Sequence, residues 1–272
     1  MAGMNIRDWK NINLKWLPSR GIPYPDDIEV YVTPMTIRER RLLDGITNAE
    51  YYRRLLDGID IRGGSPFRKQ DLLVADVQFI DLARRIFTYE QDRKLILKDY
   101  ICTSCGQHNV RVEFSFTDIE LEDLPEGIFG TEKKYTDNET GEELVKKIPG
   151  KAYTFSDGTT VYAAPMIISE YIDLATKYIA NKRDDDDSEA YIAQFAYLIK
   201  DIEGMDGHFK DANARRAFLF DYVNSLYKPE DEDVLDDIER ETTSILKPII
   251  TTCPDCGADV EVYVQPYMRF QQ

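Results

Sequence analysis

Histidine is nearly missing from this chain: two occur in 272 residues, His108 and His208, and neither has a recognisable Ser, Asp or Glu partner nearby in sequence. A base-assisted nucleophile therefore has no visible support, and no glycine-rich phosphate loop occurs. Basic residues are in deficit, with 34 Lys and Arg against 50 Asp and Glu and a formal charge of -16. A nucleic-acid binder needs a basic face to displace counterions from phosphates, so DNA and RNA are not expected partners. The paired arginines of RRLLDG and DLARRIF read as solvated helix faces. No stretch reaches the ~18 apolar residues of a membrane span, and MAGMNIRDWKNINLKW lacks the apolar core of a signal peptide. A soluble chain made in a cytosol, without a membrane partner, is the expectation.

What the chain does have is enough apolar surface for a core, 43% hydrophobic residues with 17 Tyr and 12 Phe, and a repeat. VYVTPMTIRE, from Val30 to Glu39, matches VYAAPMIISE, from Val161 to Glu170, in its Val-Tyr pair, its Pro-Met and its closing Glu. Each copy then runs through helical segments into a Cys-x-x-Cys-Gly element followed by alternating apolar residues, ICTSCGQHNVRVEFSF and TTCPDCGADVEVYVQ. The fold class this implies is α+β: two tandem, related helical units, each ending in a CxxC β-hairpin. Residues 1–116 form the first unit, 117–150 a linker or protruding hairpin centred on DNETGEE, and 151–272 the second unit.

Within the first unit, Ile28, Val30 and Val32 alternate as a strand. Thr36 and Glu39 make a capping-box pattern that opens a helix, with Gly45 as its breaker. A short helix over Ala49 to Leu56 follows. The loop IRGGSPFRK then leads to a helix from Asp71 with Leu73, Val77, Ile80, Ala83 and Phe87 on one stripe. In the second unit Ser169 is the expected cap of a helix carrying Ile172, Ala175 and Ile179. Ser188 to Glu203 reads as one helix closed by Gly204. Asp211 to Tyr227 reads as a helix carrying Ala214, Phe218, Tyr222 and Leu226 that stops before Pro229, and Glu230 to Leu246 as an acidic last helix. The Asp184 to Asp187 run lacks the spacing and glycine of a calcium loop and reads as a solvated loop.

All four cysteines, Cys102, Cys105, Cys253 and Cys256, fall in the two knuckles. A Cys-x-x-Cys turn offers two sulfurs to one metal, and zinc takes four ligands in a tetrahedron, so two such turns most economically share one structural Zn2+. The expected arrangement is a four-cysteine, zinc-ribbon-like site built from two distant hairpins, with Val110, Val112 and Phe114 on one arm and Val260, Val262 and Val264 on the other. Four thiolates leave no place for a reactive water, which argues against catalytic zinc and against an enzyme. A thioredoxin-like motif would place a pair at a helix start; here both pairs lead into strands. Disulfides are disfavoured in a cytosol. His108, three residues beyond Cys105, reads as a polar knuckle side chain.

LPSRGIPYPDDIEVYVTPMTIRERRLL, followed by helices, a CxxC knuckle, a similar second half and a closing CxxC, resembles the T-even-type bacteriophage baseplate protein family, over nearly the whole chain. The resemblance implies a virion structural protein of the tail baseplate, in the hub or wedge region of a contractile tail and assembled in the host cytoplasm. Its partners would be other phage tail and baseplate proteins, with several copies around the tail axis. No catalytic residues are carried over, and the four cysteines alone map onto a chemical role. Two alternatives remain open at this level: a transient tail-assembly chaperone absent from the mature particle, and a zinc-ribbon nucleic-acid-binding factor.

Overall fold

Two three-stranded antiparallel sheets carry the architecture of a computed structural model, which describes residues 9–36, 39, 47–89, 95–107, 110–114, 120–136, 143–179, 188–205, 208–243 and 247–262. The first sheet contains β1 (Lys10–Ile12), β2 (Glu29–Val32) and β3 (Ile59–Arg62), with β2 in the centre. The second contains β8 (Lys151–Thr154), β9 (Thr160–Ala163) and β10 (Ile199–Ile202), with β9 in the centre. The repeated Val-Tyr pairs lie on the two central strands. Val30 and Val32 are buried in one, Val161 and Ala163 in the other, so period-2 alternation buries the same face of both.

In each half helices come both between the central strand and the third strand, one in the first half and two in the second, and after the third strand. The first half has α1 (Asn48–Leu56) and α2 (Val74–Tyr89); the second has α3 (Ile168–Leu174), α4 (Ser188–Leu198), α5 (Ala212–Ser225) and α6 (Pro229–Thr242). A hairpin closes each half, β4 (Leu95–Tyr100) with β5 (Val110–Phe114), and β11 (Ile249–Thr252) with β12 (Asp259–Val262). Between the halves, β6 (Thr131–Thr136) and β7 (Glu143–Ile148) form a two-stranded sheet that, among the described residues, pairs with no other strand. The approach to that hairpin is anchored: Leu124 donates its N–H to the Pro18 carbonyl, and Leu124 and Ile128 are buried.

The entry after each Pro-Met is held by a glutamate. Thr36 donates its N–H to Glu39 Oε2 at 2.6 Å while Glu39 donates its own to Thr36 Oγ1 at 3.1 Å, the reciprocal pattern read from the sequence. In the second half the cap is not Ser169. The cap is Ile167, two residues earlier, so helix α3 starts at Ile168, and the Ile167 N–H donates to Glu170 Oε2 at 3.2 Å. With no hydroxyl at position 167, the glutamate supplies the capping oxygen alone. Both glutamates then meet cations: Arg84 Nη2 lies 3.0 Å from Glu39, and Lys200 Nζ and Arg216 Nη2 lie 2.5 and 3.4 Å from Glu170.

A second correspondence has no counterpart in the repeat read from the sequence. Ser19, between β1 and β2, donates its N–H and its hydroxyl to the two oxygens of Asp76, at 2.9 and 2.6 Å. Ser156, between β8 and β9, does the same to Asp231, at 2.8 and 3.0 Å. Asp76 is the third residue of α2 and Asp231 the third of α6. A carboxylate in the first turn of a helix complements the helix dipole, and here it also ties the β-loop of its half to the helix that leads to the knuckle.

Burial raises the Asp76 carboxyl to about 6, outweighing the lowering by the Ser19 and Tyr24 donors. The folded chain thus holds this proton more tightly than the unfolded chain, where Asp titrates near ~3.9. Its contribution to stability therefore falls as pH rises from about 4 to about 6, then stays level. In urea melts at pH 4 to 7, wild type should lose on the order of 2 kcal/mol relative to Asp76→Asn across that window. A difference that is flat or grows with pH would refute the assignment.

A further expectation is corrected. The helix expected over Ser188 to Glu203 ends at Leu198, and Ile199–Ile202 is strand β10, pairing with β9. Ile199 and Ile202 are buried there, and the free edge of β9 outcompetes helix continuation at this β-branched stretch. Of the stripe Ala214, Phe218, Tyr222, Leu226, the last two are half-buried against the core, while Ala214 is exposed and Phe218 is 38% exposed; the fully buried residues of α5 are Leu219 and Val223. The helix is apolar on several faces, so its pattern does not single one out. The helix past Glu39, Gly45, the DNETGEE turn, the acidic run 184–187, His108 and Val264 lie outside the described residues.

The halves do not meet only at the cysteines. Leu73 and Ile167 form an antiparallel β-bridge, with Val74 N–H donating to Met166 O at 3.0 Å and Ile168 N–H to Leu72 O at 2.7 Å. Tyr52 packs edge-on against Tyr171, and one hydrophobic core runs through both halves. Among the described residues no helix is long and apolar enough to cross a membrane.

Candidate metal centre

Each knuckle is a tight turn at a hairpin end. Cys102 donates its N–H to the Gln107 carbonyl at 2.9 Å and Gly106 donates its own to Cys102 O at 2.8 Å. The second knuckle repeats this: Cys253 N–H to Ala258 O at 2.9 Å, and Gly257 N–H to Cys253 O at 2.9 Å. Closing the turn requires a left-handed residue after the second cysteine, and Gly106 and Gly257 adopt φ of 70° and 72°. The ladders below, Tyr100 against Val110 and Thr252 against Asp259, carry both turns; the first shifts register between Leu97 and Tyr100, and the second is regular.

All four sulfurs lie within 4.8 Å of one another, and no disulfide joins them. Cys102 Sγ is 3.8 Å from Cys256 Sγ, and Cys105 Sγ is 3.8 Å from Cys253 Sγ, so each short contact crosses between the knuckles. A tetrahedral ion with ~2.3 Å metal–sulfur bonds requires sulfur–sulfur edges of about 3.8 Å. The two cross-contacts therefore already match such an ion. Cys102 and Cys253 are buried, Cys105 and Cys256 exposed, so the two halves present one inner and one outer ligand each.

Electrostatics point the same way. The Cys105 N–H, followed by that of Ser104, favours the Cys102 thiolate and lowers it to about 7. Cys105 is pushed up to about 12: the Gln107 N–H favours its thiolate, but the Cys256 sulfur and the other nearby sulfurs outweigh it. Four sulfurs this close cannot all ionise by themselves. A divalent cation among them removes the conflict.

All four cysteines singled out in the sequence are thus brought to one point, and the arrangement can hold a metal ion. Val260 and Val262 are buried beneath the second knuckle. His208 is exposed and not part of the cluster. Among the described residues this is the one group of three or more Cys, His, Asp or Glu side chains placed to share an ion. Sequence reading missed the Ser19–Asp76 and Ser156–Asp231 clamps and the cations on Glu39 and Glu170. The one signal for the clamps is an aspartate three residues into a helix, which is common without any such contact.

Compared with protein-family models, curated proteins and solved structures, the chain matches none.

Proposed function

We propose that this chain is a structural or assembly component of a contractile phage tail baseplate, in the hub or wedge region, and acts by docking to other baseplate proteins. The observation that carries the reading is the four-sulfur cluster, which closes the chain between residues 102 and 256 and ties the end of one half to the end of the other. The ion is zinc, held in a closed site of four thiolates with a structural role and no catalytic position. The two halves are copies of one unit. Supporting this are the matching central strands, the capping glutamates, the serine–aspartate clamps and the knuckles. Supporting the baseplate assignment is the sequence resemblance, whose LPSRGIPY segment contributes Ser19 and Tyr24 to the Asp76 site and whose PMT segment contributes the Thr36 cap. Several copies around the tail axis follow from the symmetry of such machines, and the charge of -16 weighs against nucleic acid.

The test is quantitative mass spectrometry of purified tails, normalised to a tail protein of known copy number. A fixed integer ratio is expected. Presence in assembly intermediates but not in mature particles would make the chain an assembly chaperone, and absence from both would overturn the reading.

A further inference from the structure

A cavity of about 410 Å³ opens where the two halves meet. Its floor is apolar, formed by the buried Ala75 of α2 together with Met166, Leu174 and Leu198 of the second half. At its rim stand Tyr191, 42% exposed, and Thr243 at the end of α6. The volume lies at the small end of the range for ligand pockets and is large enough to admit a bulky aliphatic or aromatic side chain. No described Lys, Arg, Asp or Glu lines the cavity itself.

A ridge of carboxylates stands beside it on α6. Glu232, Asp236 and Glu239 recur on α6 at intervals of four and three, a single helix face that continues to Thr243. All three carboxylates act on the Tyr191 hydroxyl, and Glu239 accepts a hydrogen bond from Gln194, another lining residue. Arg240, the nearest described cation on this helix, is paired with Asp237. An apolar socket beside a carboxylate ridge is complementary to an apolar anchor flanked by positive charge.

We propose that this cavity is a docking socket for a short basic segment of a partner protein, one aliphatic or aromatic side chain entering the cavity and its Lys or Arg neighbours lying along Glu232, Asp236 and Glu239. The inference rests on the docking role proposed above and names the chemistry of the partner. Because first-half Ala75 and second-half Met166 both form the floor, the socket exists only while the halves are joined.

The test uses the full chain and three fluorescein-labelled synthetic peptides, read by fluorescence anisotropy at physiological salt. The first has a Leu-Trp-Leu core between lysine pairs, the second a Ser-Gly-Ser core between the same lysines, and the third the first core between glutamate pairs. The first peptide should bind at least tenfold more tightly than either other. Ala190→Trp, which fills the cavity from its half-exposed edge, should weaken that peptide at least tenfold. The triple variant Glu232→Gln, Asp236→Gln, Glu239→Gln should weaken it several-fold while preserving the preference for an apolar core. Circular dichroism checks that both variants fold. Equal binding of the Ser-Gly-Ser peptide, equal binding of the glutamate-flanked peptide, indifference to Ala190→Trp, or no binding at all would each overturn the proposal. These outcomes are separate from tail composition: socket binding with no tail association would overturn the baseplate assignment alone.

Discussion

Replacing Cys102 and Cys253 together by serine should abolish the proposed binding of one zinc per chain and lower the thermal midpoint by about 10 °C or more. The two residues are the buried cysteine of each knuckle, so the double variant removes one sulfur from each half and leaves two exposed thiols that cannot close a tetrahedron. Structural zinc sites contribute on the order of 10 kcal/mol to small peptides that have no other core. This chain has one, because the Leu73–Ile167 bridge and the shared core also join the halves. The loss is therefore expected to be smaller, about 5 kcal/mol, which for a chain of this size corresponds to roughly 10–20 °C. Hydrogen exchange should localise it: amides of β4, β5, β11 and β12 lose protection first, while those of α2 around Val77 and Ile80 keep theirs. Metal analysis of the purified wild type gives the matching stoichiometry. Wild-type protein with no bound metal, or a double variant with unchanged midpoint, would remove the metal from the account.

The second large effect is expected at Arg84, which is 1% exposed. Its Nε donates to the Thr33 carbonyl at 2.8 Å, Nη1 to the Leu55 carbonyl at 3.3 Å, and Nη2 to Glu39 at 3.0 Å. It joins the end of β2, the end of α1 and the capping glutamate from one point on α2. Burial works against the Glu39 carboxylate, but the Thr36 N–H, the Thr36 hydroxyl and Arg84 outweigh it and hold this carboxyl below its ordinary range. Arg84→Met takes the guanidinium from the Glu39 carboxylate and from the Thr33 and Leu55 carbonyls, leaving Glu39 with the Thr36 N–H and Leu55 with the Gly58 N–H; removing one partner of a buried ion pair typically costs about 3–5 kcal/mol. Chemical denaturation should read that loss. Gly58 supplies the control, since a Cβ there would lie 2.1 Å from the guanidinium carbon. Gly58→Ala should destabilise wild type clearly and the Arg84→Met background much less. Additive losses would show that the glycine serves something other than room for the guanidinium.

Much of the site was legible before the fold. Cysteine spacing with the following glycine predicts the turn, because the turn is local: its hydrogen bonds run between residues four and five apart, and φ near 70° favours glycine. The Thr36–Glu39 cap is local in the same sense. What failed also has a common cause. Ser169 is a good capping residue in isolation, yet Glu170 reaches back past it to Ile167. Ile199–Ile202 leaves the helix before it because β9 offers unpaired backbone groups to a stretch whose two isoleucines also suit a strand. On α5 the apolar residues surround the helix, so packing against its neighbours, and not periodicity, selects Leu219 and Val223 as the buried pair.

By itself, the sequence determined the features held within a few residues: the central strands, the cap after the first Pro-Met, and two knuckles able to offer sulfur pairs. Tertiary structure alone decided that the pairs converge to 3.8 Å across an interval of some 150 residues, that Ser19 and Ser156 meet Asp76 and Asp231, and that Arg84 is buried against Glu39. Those contacts join residues far apart in the chain, and local spacing carries no information about which of many equivalent serines, aspartates or arginines the packing of the core will bring together.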